Sequence, residues 1–334
     1  MALSASRAIV ALAAVIAICG CDRTADRLPT DRPPSPRETA GETEFALSEN
    51  ERAFLDTLEE RTFRWFWEQS DPETGLTPDR TPTRSFMSTA AVGFALTAYP
   101  IGAERGYVSR EEAAERARRT LRFFLGAPQD SSVSGSAGFR GFFYHFLDAE
   151  TGCRFGDVEL STMDTALLLA GALFCMSYFD RDTPAEHEIR ASAESLYARA
   201  DWRWAEVRPP TIVHGWKPES GFLPYDWRGY NEAMLVYILA LGSPSHPVGR
   251  DAWDAWVSGY RWGAFHEEEH LGFAPLFGHQ YTHVWIDLRG IRDGFMRGRG
   301  VDYFENSRRA ARAQRAYATL NPGGWAGYGP LCWG

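Results

Sequence analysis

The chain is poor in cysteine. It has five in 334 residues, and Cys19 and Cys21 both stand within the first 21. The other three, Cys153, Cys175 and Cys332, are an odd set, and no pair has the spacing of a metal site. A thiolate metal centre is thereby excluded, and no disulfide is specified. Cys175 falls inside an apolar run, where a thiol behaves as a small buried hydrophobe. A recurring basic patch is also missing. The formal charge is −9, and the Arg-rich stretch 308–315 reads as the solvated face of a helix. Nucleic acid is therefore a poor fit as partner. Alternating strand patterns are scarce, with short hairpins near 139–155 and 212–228 and little else. The apolar run near the N-terminus, Ala8 to Ile18, is too short to cross a membrane comfortably.

That run has another use. Arg7 precedes it, and it ends in Ile18-Cys19-Gly20-Cys21-Asp22. Its length and flanks fit a signal peptide. The small residue directly before Cys21 resembles a bacterial lipoprotein cleavage site, in which Cys21 becomes the lipidated first residue. A plain secretory peptide and an uncleaved anchor are the alternatives. Residues 22–47 are polar and rich in Pro, Arg, Asp, Glu and Thr, the composition of a disordered tether. The expected organisation is a signal over 1–21, a tether over 22–47 and a folded domain over 48–334. The expected location is the periplasm or the cell surface, with membrane contact only through the lipid.

The folded part reads as helix after helix. Ser48-Glu-Asn-Glu51 and Ser109-Arg-Glu-Glu112 are capping boxes, opening helices to about Gln69 and Leu125. The stretches 86–99, 162–179 and 230–241 are apolar on every side, so they are buried. Between them, 109–125 and 183–204 are amphipathic, and 301–320 is a late amphipathic helix. Inner and outer helices alternate, as in a diverged repeat of helical hairpins about 70 residues long. The fold class expected is all-α, an α/α toroid with long loops gathered at one end. Those loops are aromatic and glycine-rich: Gly138 to His145, His214 to Gly221, Phe277 to His283. Aromatic residues are 14% of the chain, with 12 Trp, enough for a large core or for surfaces on which sugar rings stack.

One design occurs twice. An aromatic loop ends in a carboxylate that opens an apolar helix. Phe155-Gly-Asp157-Val-Glu159-Leu-Ser-Thr-Met-Asp164 is the first copy, and Tyr225-Asp-Trp227-Arg-Gly-Tyr230-Asn-Glu232 the second. Glycoside hydrolysis needs an acid that stays protonated and a second carboxylate to handle water. Glu232, entering an apolar helix behind Trp227 and Tyr230, has the setting for the acid; the plainer reading is a carboxylate stabilising the helix dipole. Asp164 has the same two readings. Asp157 and Glu159 alternate in what reads as an extended segment, so both face one cleft. Asp287 and Arg289 read most simply as a local salt bridge. His279 and His283, four apart, invite a metal site, but Phe277-Gly278 before them makes a loop, and no third ligand stands out. No metal and no cofactor are expected.

Four stretches carry a resemblance to a known family. They are Glu159 to Gly171; Gly229-Tyr-Asn-Glu232-Ala233 with Leu241 to His246; Pro275 to His283; and Asp302 to Ser307. They resemble the bacterial glycoamylase-like family, which includes the endo-β-1,2-glucanases and the C-terminal domain of cyclic β-1,2-glucan synthases. The resemblance spans about 50 to 334. It implies an (α/α)6 barrel hydrolysing a β-glucan, β-1,2-linked as first guess, with inversion. It puts Glu232 at the family's general acid. Asp164 and Asp157 fall near other acids of such enzymes, with Ser161 where a relative has an acid. Asp164 and Glu159 would orient sugar or water. His145, Asp157, Trp216, Trp227, Tyr230, His279, Gln280, Tyr281, Asp287 and Arg289 are the expected substrate contacts, and a glucan the expected partner of a monomeric enzyme. By the same resemblance the chain stops where members continue through a further helical region bearing another acid, the candidate general base, so the barrel is expected to be incomplete at its C-terminus. Two other classes fit the sequence: a non-catalytic glycan-binding lipoprotein, and a polysaccharide lyase on a similar toroid.

Overall fold

A computed structural model describes residues 47–81 and 86–333. The signal segment with Cys21, and the tether except for Leu47, lie outside the described residues. Helix α1 (Glu49–Gln69) opens as expected: the Ser48 side chain accepts from Glu51 N, and the Glu51 carboxylate accepts from Ser48 N. Strand β1 (Met87–Ser88) runs directly into α2 (Thr89–Glu104). Helix α3 (Arg110–Gly126) starts at the Ser109–Glu112 capping box. Strands β2 (Gly138–Phe139), β3 (Phe142–Tyr144), β4 (Phe146–Leu147) and β5 (Leu160–Ser161) follow, and β5 runs directly into α4 (Thr162–Tyr178).

The amphipathic stretch 183–204 is two helices, α5 (Pro184–Arg199) and α6 (Trp202–Ala205). The break has a tertiary cause. Asp201 N donates to Arg140 O, and the Arg199 carbonyl packs against Gly141 so closely that a Cβ there would lie 2.3 Å away. The docked 140–141 turn takes the hydrogen bond that a continuous helix would need. Next come β6 (Gly215–Lys217), β7 (Gly221–Phe222), α7 (Met234–Leu241), α8 (Asp251–Val257), β8 (Trp262–Phe265), β9 (Glu268–Leu271), two 3-10 turns at 276–279 and 281–284, α9 (Gly294–Arg299) and α10 (Tyr303–Leu320).

The apolar helices are inside. In α4 every residue from Thr162 to Leu173 is buried, and in α7 every residue from Met234 to Ala240. Helix α2 packs along α4, and α4 also meets α7. Outside, α3 packs on α5 and α1 on α2. Ala113, Ala117, Leu121 and Phe124 of α3 face inward, while Arg118 and Arg122 pair with Glu115 and Glu188 at the surface. This inner–outer alternation is that of an α/α toroid.

The strands are more organised than the sequence suggests. β2-β3-β5-β6-β7 form one antiparallel sheet, and β1 pairs with β4. Strands of two or three residues are too short to show a two-residue period. The sheet crosses the N-terminal ends of the inner helices and fastens them. Thr89 N donates to His145 O, and Thr162 N to His214 O, at 3.2 and 3.1 Å. Thr89 Oγ1 donates to Tyr144 O, and Thr162 Oγ1 to Val213 O. The β8–β9 hairpin was not expected at all. Its turn residues, His266 and Glu267, both have positive φ without the Asn-Gly or Asp-Gly that signals such a turn.

Candidate active site

The site is built from the start of α4 outward. Ser161 caps the helix: its Oγ accepts from Asp164 N at 3.1 Å and donates to Asp164 Oδ2 at 2.5 Å. Asp164 is only 8% exposed. Its Oδ1 faces His145 Nε2 at 3.6 Å, a charge contact rather than a hydrogen bond. His145 Nδ1 in turn lies 2.9 Å from Glu159 Oε1. The histidine is clamped by its backbone as well, with N donating to Glu159 O and O accepting from Thr89 N; its ring stacks on Phe146 at 4.0 Å.

Burial shapes the charges along this line. It pushes the Asp164 carboxyl above its ordinary range, against the pull of His145 and Ser161. Burial alone would lower His145, but Glu159 and Asp164 hold the imidazole above its usual value. For Glu159 the hydrogen bond from His145 and the nearby Lys217 outweigh burial, so it lies below the usual range. Replacing Ser161 with alanine is expected to cost about 1 kcal/mol, since the cap on a buried helix is lost. A urea unfolding curve measures this, and an unchanged midpoint would contradict the capping role.

Glu232 does not open its helix. It lies two residues before α7, whose cap residue Ala233 makes no side-chain capping bond. Asn231 Oδ1 instead accepts from Ala233 N at 3.0 Å. Glu232 Oε2 is enclosed and has no hydrogen-bond partner among the described residues. Burial raises the Glu232 carboxyl first, and the charge of Asp164 adds to it, against the pull of its own backbone N–H. The Tyr281 hydroxyl is raised by burial and then by both Glu232 and Asp164. The two carboxyls and this phenol therefore share one electrostatic neighbourhood. Phe94 of α2 and Phe277 each hold the Tyr281 ring, with centroids 5.2 Å apart. Trp227 is pinned at the start of α4, its Nε1 donating to Thr162 Oγ1 at 3.0 Å, with the His214 ring stacked on it at 3.7 Å.

Other expected contacts lie elsewhere. Tyr230 and His279 are 5% and 2% exposed, inside an aromatic cluster with Trp256, Tyr260 and Tyr303. They are core, not cleft wall, and burial holds the His279 imidazole down at about 4. His283 Nε2 lies 2.9 Å from Ser307 Oγ. Among the described residues no three His, Cys, Asp or Glu are grouped to hold a metal. Asp157 is exposed in a turn after Gly156, whose φ is +59°, so the alternation with Glu159 is broken and only Glu159 turns inward. The buried Arg154 shapes that turn, donating to Val158 O at 2.7 Å and pairing with Glu219. Trp216 packs with Phe139 and Trp204. Gln280 is exposed between the 3-10 turns. Arg289 pairs with Asp287 at 2.7 Å and is mostly exposed, the local salt bridge anticipated for that pair. Two surface hollows lie far from the carboxylates in sequence, one along α1 at Leu55, Leu58 and Arg105, the other along α10 at Ala316, Leu320 and Pro330; neither holds a residue of this site.

His214 was missed by sequence reasoning. The fold makes His145 and His214 counterparts, each lending its carbonyl to the first N–H of an inner helix, but at unequal chain separations from those helix starts, so no fixed spacing marks the pair in the sequence.

The chain has recognisable relatives. Residues 224–334 match the family Glycoamylase, described as "Putative glucoamylase". An exo β-1,2-glucooligosaccharide sophorohydrolase (non-reducing end) of Parabacteroides distasonis is 28% identical over 331 residues, covering 89% of this chain and 44% of that protein. The chain thus spans less than half the length of that curated relative. A "putative glucoamylase" of Bacteroides caccae superposes with a TM-score of 0.75 at 30% identity, covering 85% of this chain and 71% of that one. An endo-β-1,2-glucanase of Chitinophaga pinensis, solved with sophorotriose and glucose, gives 0.74 at 26% identity, covering 86% and 71%. With a toroid in common and 30% identity across most of a solved relative, this chain belongs to the glycoamylase-like family.

Proposed function

We propose that the chain hydrolyses a β-glucan, with β-1,2-glucan as the substrate and Glu232 as the general acid. One observation carries the assignment of the acid: Glu232 Oε2 is enclosed and, among the described residues, unpartnered. A charge left without a partner there is costly, so the proton stays on, and the carboxyl is raised by burial and by Asp164. The β-1,2-glucan specificity is supported by the activities named for the Parabacteroides and Chitinophaga relatives.

In this reading the Glu232 proton passes to the glycosidic oxygen as its bond to the anomeric carbon breaks. A water oxygen bonds to that carbon, and Asp164 takes the water's proton. Glu159 orients the sugar or water, and Trp227 and Tyr281 offer faces and a hydroxyl to the ring. The test is incubation with linear β-1,2-glucan and measurement of new reducing ends. Binding without reducing ends would leave a glycan-binding protein, and an ultraviolet-absorbing product would make it a lyase; either overturns the proposal.

We further propose an exported lipoprotein, supported by the run from Arg7 to Asp22. Labelled palmitate should enter the parent chain and not Cys21→Ala; equal labelling of both would refute the anchor.

A further inference from the structure

We propose that His145 is a positioning residue: with Nδ1 fastened to Glu159, it turns Nε2 toward Asp164 Oδ1 and so orients that carboxylate and favours its ionised form. The reaction it serves rests on the hydrolase reading above, but the arrangement itself stands on geometry. Each atom of the line has one task. Ser161 Oγ–H holds Asp164 Oδ2 at 2.5 Å. His145 Nε2 covers Oδ1 at 3.6 Å, and Glu159 Oε1 holds Nδ1 at 2.9 Å. The ring has little freedom to leave, being stacked on Phe146 and hung from a backbone bonded on both sides.

The need for such a device follows from burial. A carboxyl as enclosed as Asp164 tends to keep its proton, which would leave it unable to take one from water. Glu232 and Tyr281 lie in the same neighbourhood and lend it no positive charge. Among the described residues, the cation that acts on Asp164 is the His145 imidazolium. Glu159 and, more weakly, Asp79 hold that ring charged. Lys217 acts on Glu159 from β6, and His214 lies within reach of the same carboxylate. The order of charge is therefore carboxylate, imidazolium, carboxylate, running from the half-buried Glu159 to the buried Asp164. Glu232 has no such neighbour: after burial, the charge that raises its carboxyl is that of Asp164, whereas Asp164 has the ring beside it.

Two measurements test this, and they fail independently of each other. The first needs no substrate. Nitrogen-15 NMR of the imidazoles, with His145 assigned through His145→Gln, should show the ring protonated to a pH above that of free histidine. Its midpoint should fall in Glu159→Gln and in Asp164→Asn. A midpoint near 6.5 in the parent, or one unmoved in both variants, overturns the proposal. The second is kinetic. In His145→Gln, kcat on linear β-1,2-glucan should drop on the order of 100-fold, with KM within about twofold. Its acid limb should move up by about one pH unit, because losing the cation lets burial hold the Asp164 proton longer. A raised KM with unchanged kcat and limb would make His145 a plain substrate contact and overturn the proposal. Circular dichroism checks folding, and Glu159→Gln keeps the ring and its backbone in place if His145→Gln does not fold. A parent inactive on glucan would sink the hydrolase reading and leave the NMR result to judge the His145 arrangement.

Discussion

Replacing Glu232 with glutamine is expected to reduce hydrolysis of linear β-1,2-glucan about 1,000-fold, the size of a lost general acid. The amide keeps the shape of the side chain but has no acidic proton to give. KM should change little, since the loss falls in the transition state. In the parent, the reactive form is the protonated one, so activity should fail as pH rises through the raised value of this carboxyl. Stability should fall over the same rise in pH. A carboxyl whose value is raised in the folded state destabilises that state as pH climbs past 4.5 toward the raised value, and full stability is kept only below 4.5. The glutamine variant has no such loss, so at pH 7 it should melt no lower than the parent. Reducing-end assays across pH and a thermal melt measure both effects. Equal hydrolysis by the two proteins would remove Glu232 from the mechanism.

The second large effect concerns a place with no chemistry. Helices α2 and α4 touch backbone to backbone at Gly93 and Gly171. A Cβ on Gly93 would lie 2.2 Å from Leu167 O, and one on Gly171 would lie 2.2 Å from Gly93 O. Neither glycine has positive φ, so space alone demands them. In a helix, alanine is favoured over glycine by about 1 kcal/mol. Here the neighbour is backbone and cannot swing aside, so the overlap wins. Gly93→Ala should lose about 3 kcal/mol net, and Gly93→Val more. The damage should spread to the site, because α2 carries Phe94 against Tyr281 and α4 carries Asp164. Urea unfolding at neutral pH is the measurement. A midpoint matching the parent would mean that the two helices do not pack this closely.

What could be read from the chain was the part that burial writes into it. Helices apolar on every side have one place to go, so α2, α4 and α7 were legible, as were the capping boxes at Ser48 and Ser109. The limits of α7 were not, because Tyr230 to Ala233 are as compatible with a helix as with the turn they form; Asn231, bonding Ala233 N, ends the matter locally. The hairpins of β2–β3 and β6–β7 fall in the two stretches where hairpins were expected, but their joining through β5 into one sheet across the helix ends was illegible, because strands this short carry no period. Aromatic residues were the least decidable. Tyr230 and Trp227 lie three apart in one loop, yet one is core and the other stands half-exposed beside His214. Only the packing of α8 and α10 around Tyr230 separates them. The carboxylates were visible as a set, but the histidine between Asp164 and Glu159 was anticipated only as a sugar contact, since no spacing rule links positions 145, 159 and 164.

Arg154 has a side chain 1% exposed. It binds Val158 O, Val133 O and Glu219, and lies over the Tyr144 ring. Four separate stretches of chain are knotted at one guanidinium, right behind the segment that carries Glu159. The ordering cost of that segment is met when the protein folds, so an arriving sugar meets a preorganised wall and need not mould it. Affinity on this flank should consequently carry little entropic penalty for ordering the wall.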